Sequence, residues 1–390
     1  MTAFLLQRVE QQLNQRKESG LYRSLTNCSL SESELYQGDD RQPYINFSGN
    51  DYLGLAQTSE LKRAWQQGIE HYGAGSTASP LVVGRSPAHE ALEETLCDWQ
   101  GYPRALLFSS GFAANQAVIF SLMQKGDLLL QDKLNHASLM EAGILSEAEL
   151  RRYHHNNMCS LEKLCKKRDN QSGVLVATDG VFSMDGDLAP LSEIDNLCRA
   201  NGAMLMVDDA HGCGVLGDDG AGSSALKNIK PDILVLTFGK AFGLMGAAVL
   251  CSESIANYLT QFARHFVYST AIPPGQAHAI SHALTLIRQQ VWRREKLAEL
   301  SDTFHRNLSD FSDRIPETIT PIKPVIFGDT ERTLKVAENL KQSGFWVGAI
   351  RPPTVPPKTA RLRVTLSASH SVKQVNALTE QIKRNMQEEL

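Results

Sequence analysis

The sequence contains no apolar run approaching the roughly 18 residues that a membrane-spanning helix requires. It also has no Cys-x-x-Cys pair. Its seven cysteines (Cys28, Cys97, Cys159, Cys165, Cys198, Cys213, Cys251) are an odd number, and several lie in apolar segments as small core residues. A reduced, cytoplasmic setting is therefore expected. His154-His155 and His211-Gly212-Cys213 lack zinc-site spacing, so no metal site is expected. Charge of one sign is not in excess. A formal net charge of −4 gives no pull toward nucleic acid or an anionic membrane. The basic clusters Arg151-Arg152 and residues 163–168 sit among polar residues and predict a solvated helix face. No G-x-G-x-x-G follows the first strand, and no phosphate-binding P-loop or G-x-S-x-G elbow occurs, which removes the usual nucleotide-fold and hydrolase readings. Near the N-terminus, Phe4, Leu5, Leu6, Val9 and Leu13 recur at helical spacing, while Arg8 and Glu10 interrupt any signal-peptide core. That pattern predicts a packed amphipathic helix.

What is present is a series of short apolar runs, each followed by a helix-like stripe. The runs are 105–108, 174–177, 204–207, 233–236 and 247–250. Uninterrupted apolar strands alternating with helices predict an α/β fold with a mostly parallel sheet covered on both faces. The character changes near Pro273-Pro274. A long helical pattern runs through Leu284, Ile287, Val291, Leu297 and Leu300. Strand candidates at 324–327, 345–350 and 361–366 then alternate with helices at 331–342 and 371–386. This predicts an N-terminal arm (1–45) packing on a small α+β C-terminal domain (286–390), with a large domain (46–285) between them. The run Arg351-Pro352-Pro353-Thr354-Val355-Pro356-Pro357 predicts a rigid loop.

Lys240 is a cation placed between two apolar runs. An unpaired buried ammonium costs several kcal/mol. Such a lysine is either held as a Schiff base with a carbonyl cofactor or extends a buried stem to solvent. Ligands of open α/β sheets bind beyond the carboxyl ends of strands. Collected there are Ser110-Gly111-Phe112, the segment 178–186 with Ser183, Asp208, His211, Thr237, Lys240 and, after Leu130, His136. Gly111 opening a helix suits a phosphate or, equally, a tight turn. Asp208 suits a protonated ring nitrogen or a helix cap. His211 could meet a ring hydroxyl and His136 a ring face, although either histidine could simply be packed. Cys213 beside His211 has no third group to orient it as a nucleophile. Together with Lys240 these residues form a constellation suited to pyridoxal 5'-phosphate (PLP).

The segments Asn50-Asp51-Tyr52-Leu53-Gly54-Leu55, Ser110-Gly111-Phe112-Ala113-Ala114-Asn115-Gln116, 132–138, 180–187, Val207-Asp208-Asp209-Ala210-His211-Gly212 and Thr237-Phe238-Gly239-Lys240 resemble the α-oxoamine synthases. The resemblance runs in order through about 21–370. It implies a fold-type I PLP-dependent transferase and a homodimer with sites at the subunit interface. By resemblance, Lys240 would carry the cofactor and move the Cα proton, and Gly111 and Phe112 would contact the cofactor, the Phe112 main chain near its phosphate. His136 would stack on the ring and help polarise a substrate carbonyl, and Asp208 would pair with the ring nitrogen. Ser183 and His211 would flank the ring oxygen, and Thr237 would reach the phosphate. Arg23, His136, Thr354 and Arg363 would serve the substrates, with Arg363 clamping the amino-acid carboxylate. Residues 261–274 and 349–363 are similar to the branch that joins L-alanine to a pimeloyl thioester, carried on coenzyme A or an acyl carrier protein, in biotin synthesis. Glycine with an acetyl or succinyl thioester, an aminotransferase, and a silent paralogue remain as alternatives. Two departures from the family pattern bear on the pocket: Gly75-Ser76-Thr77-Ala78-Ser79-Pro80, with Thr77 and Pro80 in a glycine-rich stretch, and Met245 where a small residue is usual.

Overall fold

Three short strands lie near the start of the chain: β1 (Cys28–Ser31), β2 (Glu34–Gln37) and β3 (Tyr44–Asn46). The computed structural model describes residues 2–38, 42–166 and 172–387. Seven strands then build the main sheet: β4 (Arg104–Phe108), β5 (Leu128–Asp132), β6 (Glu149–Tyr153), β7 (Val174–Asp179), β8 (Met204–Asp208), β9 (Ile233–Thr237) and β10 (Ala247–Cys251). Their order across the sheet is β4-β10-β9-β8-β7-β5-β6. Strands β9, β8, β7, β5 and β6 pair in parallel, whereas β10 runs antiparallel to both β9 and β4. Side chains alternate between faces, so each strand feeds two cores. Leu107, Leu130, Val176, Val207, Leu236 and Ala248 pack on one face. Leu106, Leu129, Leu175, Met206, Val235 and Val249 pack on the other. Both faces are covered, which is why these runs are apolar throughout.

Four more strands follow, β11 (Ile322–Gly328), β12 (Phe345–Trp346), β13 (Gly348–Ile350) and β14 (Ala360–Thr365), and three of them form a smaller sheet. β11, β14 and β13 pair antiparallel, whereas β12 leaves to pair in parallel with β3. The single strand expected at 345–350 is therefore two strands that change sheets at Val347. The long helix expected through Leu300 is likewise two, Pro274–Gln289 and Trp292–Asn307. Gln290 leaves the helical conformation (φ −91°, ψ 61°), and its Oε1 accepts from Arg293 Nε at 2.6 Å.

Two further expectations are corrected. Arg151 and Arg152 lie not on a helix but on β6, the edge strand of the main sheet, where charge is tolerated and discourages pairing with a further strand. Lys163 does lie on a helix, Met158–Cys165, while residues 167–168 fall outside the described residues. The N-terminal helix, Thr2–Glu18, forms, but its apolar stripe finds no partner among the described residues: Phe4 is 82% exposed and Val9 48%. Its helicity rests on local propensity, since Leu, Gln, Arg and Glu are all good helix formers.

Lys323 on β11 is completely buried. Its Nζ donates to Ser301 Oγ (2.5 Å) and the Thr318 carbonyl and lies 3.0 Å from His305 Nε2. Burial lowers its pKa to about 7, against weaker support for the charge from Asp302 and Glu317. The unfolded chain holds this proton up to the ordinary lysine value of 10.5. Between the two values the unfolded state binds more protons, so Lys323 makes stability rise with pH across that window. Urea unfolding of Lys323→Met against the wild type should show a shallower rise in stability between about pH 7 and 9; an unchanged slope would contradict the assignment.

Candidate active site

The reversed sense of β10 decides where Lys240 sits. A parallel connection would need a crossover of a dozen or more residues to return to the other edge. An antiparallel partner lets residues 238–246 turn back at once, at the carboxyl edge of the sheet. The turn is closed by Phe238 N–H donating to the Gly246 carbonyl (2.9 Å) and Leu244 N–H to the Phe238 carbonyl (2.8 Å). Gly243 adopts φ +69°, and a Cβ there would stand 2.5 Å from Ala56 N, so only glycine fits. Lys240 thereby lines a cavity of about 280 Å³ together with Gly111, Phe112, His136, Asp208, His211 and Thr237. Four loops, after β4, β5, β8 and β9, contribute these residues.

The polar side of the cavity is built from two carboxylates. Asp179 and Asp208 end β7 and β8 opposite one another in register, and each is 4% exposed. Asp208 Oδ2 accepts from Asn115 Nδ2 at 2.6 Å, and its Oδ1 accepts from Ala210 N–H at 3.0 Å. Asn115 also donates to Ser138 Oγ (2.8 Å), which lies 2.9 Å from His136 Nδ1. Asp179 Oδ2 accepts from the His136 backbone N–H at 2.6 Å. Burial and then the Asp208 charge push the Asp179 pKa well above the carboxylate range. Burial pulls Lys240 down to about 8, while Asp208 and Asp179 oppose the fall. A fraction of the neutral amine therefore exists near neutral pH. Burial, with help from the Lys240 and Arg363 charges, holds His211 well below its ordinary value and so neutral. Its Nδ1 is 2.7 Å from the Tyr52 hydroxyl. Donation from Tyr52 leaves the His211 Nε2–H for a ligand.

The opposite end of the cavity suits an anion. Ser110 caps the helix Gly111–Leu122, its hydroxyl accepting from Ala113 N–H at 3.2 Å, so the positive end of that helix opens here. A Cβ on Gly111 would meet Thr237 Cγ2 at 2.5 Å. Thr237 Oγ1 is buried and has no hydrogen-bond partner among the described residues. An unsatisfied hydroxyl beside a helix N-terminus fits a phosphate. The carboxylates fit a protonated pyridine nitrogen, and Lys240 fits an aldehyde. These residues accommodate PLP.

Arg363 on β14 reaches this region from the smaller sheet. Its Nε donates to the Ser183 carbonyl (2.6 Å), and both Nη atoms lie 3.2 Å from Asn50 Oδ1. Asn50 itself lines the cavity. The arginine is 8% exposed, and among the described residues no carboxylate pairs with it, so it can receive one from a ligand. Ser183 is tied to the site through its carbonyl and does not line the cavity. Thr354 lines a second cavity of about 460 Å³ with Lys133, Arg152 and Phe182. Arg23 is exposed and lines neither cavity. Of the two departures, Met245 lines the PLP-sized cavity, and Thr77 adopts φ +59°, a conformation that favours glycine. Asn50, Tyr52, Asn115, Ser138 and Asp179 were assigned no roles from sequence. Asp179 ends a strand and was open to the same rule that found Asp208.

The aminotransferase class I and II family is matched over residues 42–382. The chain is 55% identical to 8-amino-7-oxononanoate synthase of Vibrio cholerae, covering 100% of each, and 58% identical to that of Aliivibrio fischeri over 88% of this chain and 89% of the relative. This chain belongs to the 8-amino-7-oxononanoate synthase family. A solved member of the 8-amino-7-oxononanoate synthases, from Francisella tularensis, superposes with a TM-score of 0.77 at 32% identity, over 89% of this chain and 98% of that one. Serine palmitoyltransferase from S. paucimobilis, solved with a bound PLP–myriocin aldimine, superposes with a TM-score of 0.90 at 25% identity over 97% and 96%. The fold is that of the fold-type I PLP-dependent transferases.

The close approach of Gly111 to Thr237 gives a direct test. Gly111→Ala should raise the dissociation constant for PLP at least about tenfold, because the new methyl group displaces Thr237 from the anion end. Unchanged PLP binding in an absorbance titration would mean that the phosphate lies elsewhere.

Proposed function

We propose that the protein, with PLP as cofactor, condenses L-alanine with a pimeloyl thioester to give 8-amino-7-oxononanoate, carbon dioxide and the free thiol carrier, a step of biotin biosynthesis. The observation that carries this reading is the meeting, at one sheet edge, of Lys240, the Asp179–Asp208 pair, the Thr237–Gly111 anion end and Arg363, which has no acidic partner among the described residues. The names of the similar full-length proteins support the choice of substrates. When bound, PLP supplies an aldehyde that condenses with amines and a ring that withdraws electron density.

The residues divide the remaining work. Thr237 and the amides of Gly111 and Phe112 would hold the phosphate, and His136 would contact the ring. Asp208 would keep a proton on the ring nitrogen, and His211 would donate to the ring oxygen. Arg363 would take the alanine carboxylate and so orient the bonds at Cα. Lys240, as the neutral amine, accepts the Cα proton. A carbon–carbon bond then forms between Cα and the thioester carbonyl as the C–S bond breaks. Loss of carbon dioxide from the resulting β-keto acid leaves Cα to take back a proton from Lys240. Thr354 and Arg23 serve the acyl donor, whether it is carried on coenzyme A or an acyl carrier protein.

The helix Pro274–Gln289 packs on the helices Ser59–Tyr72 and Pro87–Gln100, and Trp292–Asn307 packs on the C-terminal helix Val372–Gln387. That contrast supports dividing the chain into 46–285, which holds PLP, and 286–390, with 1–45 as an arm. The protein acts as a homodimer. Val82, Val83 and Tyr268 are each more than 70% exposed, and all three lie on segments joined to one another by the Ala271–Ala78 backbone hydrogen bond. Apolar side chains clustered in this way are typical of a subunit interface. The cytoplasm is its compartment, in keeping with seven free thiols.

Product should form from L-alanine with a pimeloyl thioester far faster than from glycine with an acetyl or succinyl thioester. Lys240→Ala should lower turnover at least about 1000-fold. Full turnover in that variant, or a preference for glycine, would refute the assignment. Light scattering should give twice the 43.0 kDa chain mass, and a monomer of full activity would remove the homodimer from the scheme.

A further inference from the structure

His155 has no role in the scheme above, yet both its ring nitrogens face carboxylates. Nδ1 lies 3.0 Å from Asp132 Oδ1, and Nε2 lies 2.8 Å from Asp187 Oδ2. An ionised carboxylate only accepts, so both nitrogens must carry protons and the ring is an imidazolium. Burial opposes that charge, but the hydrogen bonds to Asp132 and Asp187 outweigh it and raise the pKa to about 10. Asn156, held at φ +49°, doubles the connection. Its backbone N–H donates to Asp132 Oδ2 and its Nδ2 to Asp187 Oδ2, each at 2.9 Å. The imidazole stands edge-on to Phe182, with ring centroids 4.5 Å apart.

The two carboxylates belong to different parts of the site. Asp132 ends β5, just before His136. Asp187 closes a tight turn over residues 182–187, in which Phe182 N–H donates to the Asp187 carbonyl at 3.0 Å. The rest of this turn is tied to the smaller sheet and the segment leading into it. The Ser183 carbonyl accepts from Arg363 Nε, Asp185 pairs with Arg361, and the Gly186 carbonyl accepts from Thr320 Oγ1 at 2.8 Å. The turn thus hangs between His155 on one side and Arg363 on the other. A guanidinium donates along fixed directions, so tilting its plane breaks a bidentate pair with a carboxylate even when the charges stay close.

We propose that His155 is a positioning residue for amino-acid recognition: by clamping the 182–187 turn to β5 it fixes the Ser183 carbonyl, and through it the plane of the Arg363 guanidinium. This rests on the reading that Arg363 receives the substrate carboxylate. Between two amines that differ only in the carboxylate, loss of the clamp therefore weakens the one that carries it.

The test compares L-alanine with L-alaninamide, which lacks the carboxylate, by spectral titration of the PLP-loaded enzyme. His155→Gln should weaken alanine about tenfold and leave alaninamide unchanged. Arg363→Lys should also weaken alanine, and combining it with His155→Gln should add little, because the two act in series. In the cofactor-free wild type at about pH 8, where an ordinary histidine is neutral, nitrogen NMR should show His155 protonated at both positions. Equal weakening of alanine and alaninamide, additive losses, or a neutral His155 ring would overturn the proposal. If Arg363→Lys binds alanine normally, it is the carboxylate assignment that fails. If Arg363→Lys is weakened but His155→Gln is not, only the role of His155 fails. Asp187→Asn, which keeps the side-chain shape, should reproduce the selective loss if His155→Gln does not fold. Failure of both variants to fold would make the clamp a folding element and overturn its role in recognition.

Discussion

Two carboxylates at the ends of neighbouring parallel strands cannot move apart, and the site depends on that constraint. The ladder between β7 and β8 places Asp179 opposite Asp208, and burial removes the water that would screen them. Burial first, and then the charge of Asp208 beside it, raises the cost of ionising Asp179, which therefore tends to keep its proton. The remaining negative charge has a cation to attract in every state: the lysine ammonium, or a protonated ring nitrogen. The backbone of the sheet thus sets the electrostatics of the cavity before any ligand enters.

The arrangement also separates two tasks by element. The groups suited to PLP sit on the main sheet and its first helix, whose positions are fixed by packing on two cores. The arginine suited to the amino acid comes from β14 and crosses to the cavity through Asn50 and the Ser183 carbonyl. In the proposed reaction the alignment of cofactor and amino acid would be set by the contact between two sheets, to which the turn at residues 182–187 contributes through the Ser183 carbonyl.

Much of this was legible in the sequence, for a physical reason. Strands covered on both faces must be apolar throughout, so five of the seven strands of the main sheet stood out as runs, and the polar residues that follow them had to gather at one edge. β6 did not stand out, because an edge strand carries charge, and Arg151-Arg152 reads as a helix surface. The reversal of β10 was written in a length: the gap between Leu236 and Ala247 is too short for a parallel crossover. Asn115 and Ser138 were silent because they act through neighbours and carry no charge. The split of 345–350 between two sheets, and the break at Gln290, depend on tertiary partners that no local pattern encodes. The apolar stripe of the N-terminal helix was legible, but its exposure was not.

The turn that carries Lys240 is pinned at both ends by the hydrogen bonds that join Phe238 to Gly246 and Leu244. A nine-residue segment closed in this way has already lost most of its conformational freedom on folding. Little disorder remains to be given up when its lysine engages a ligand. In the proposed reaction, where Lys240 would alternate between bound and free forms, the backbone entropy of the turn would change little between the two.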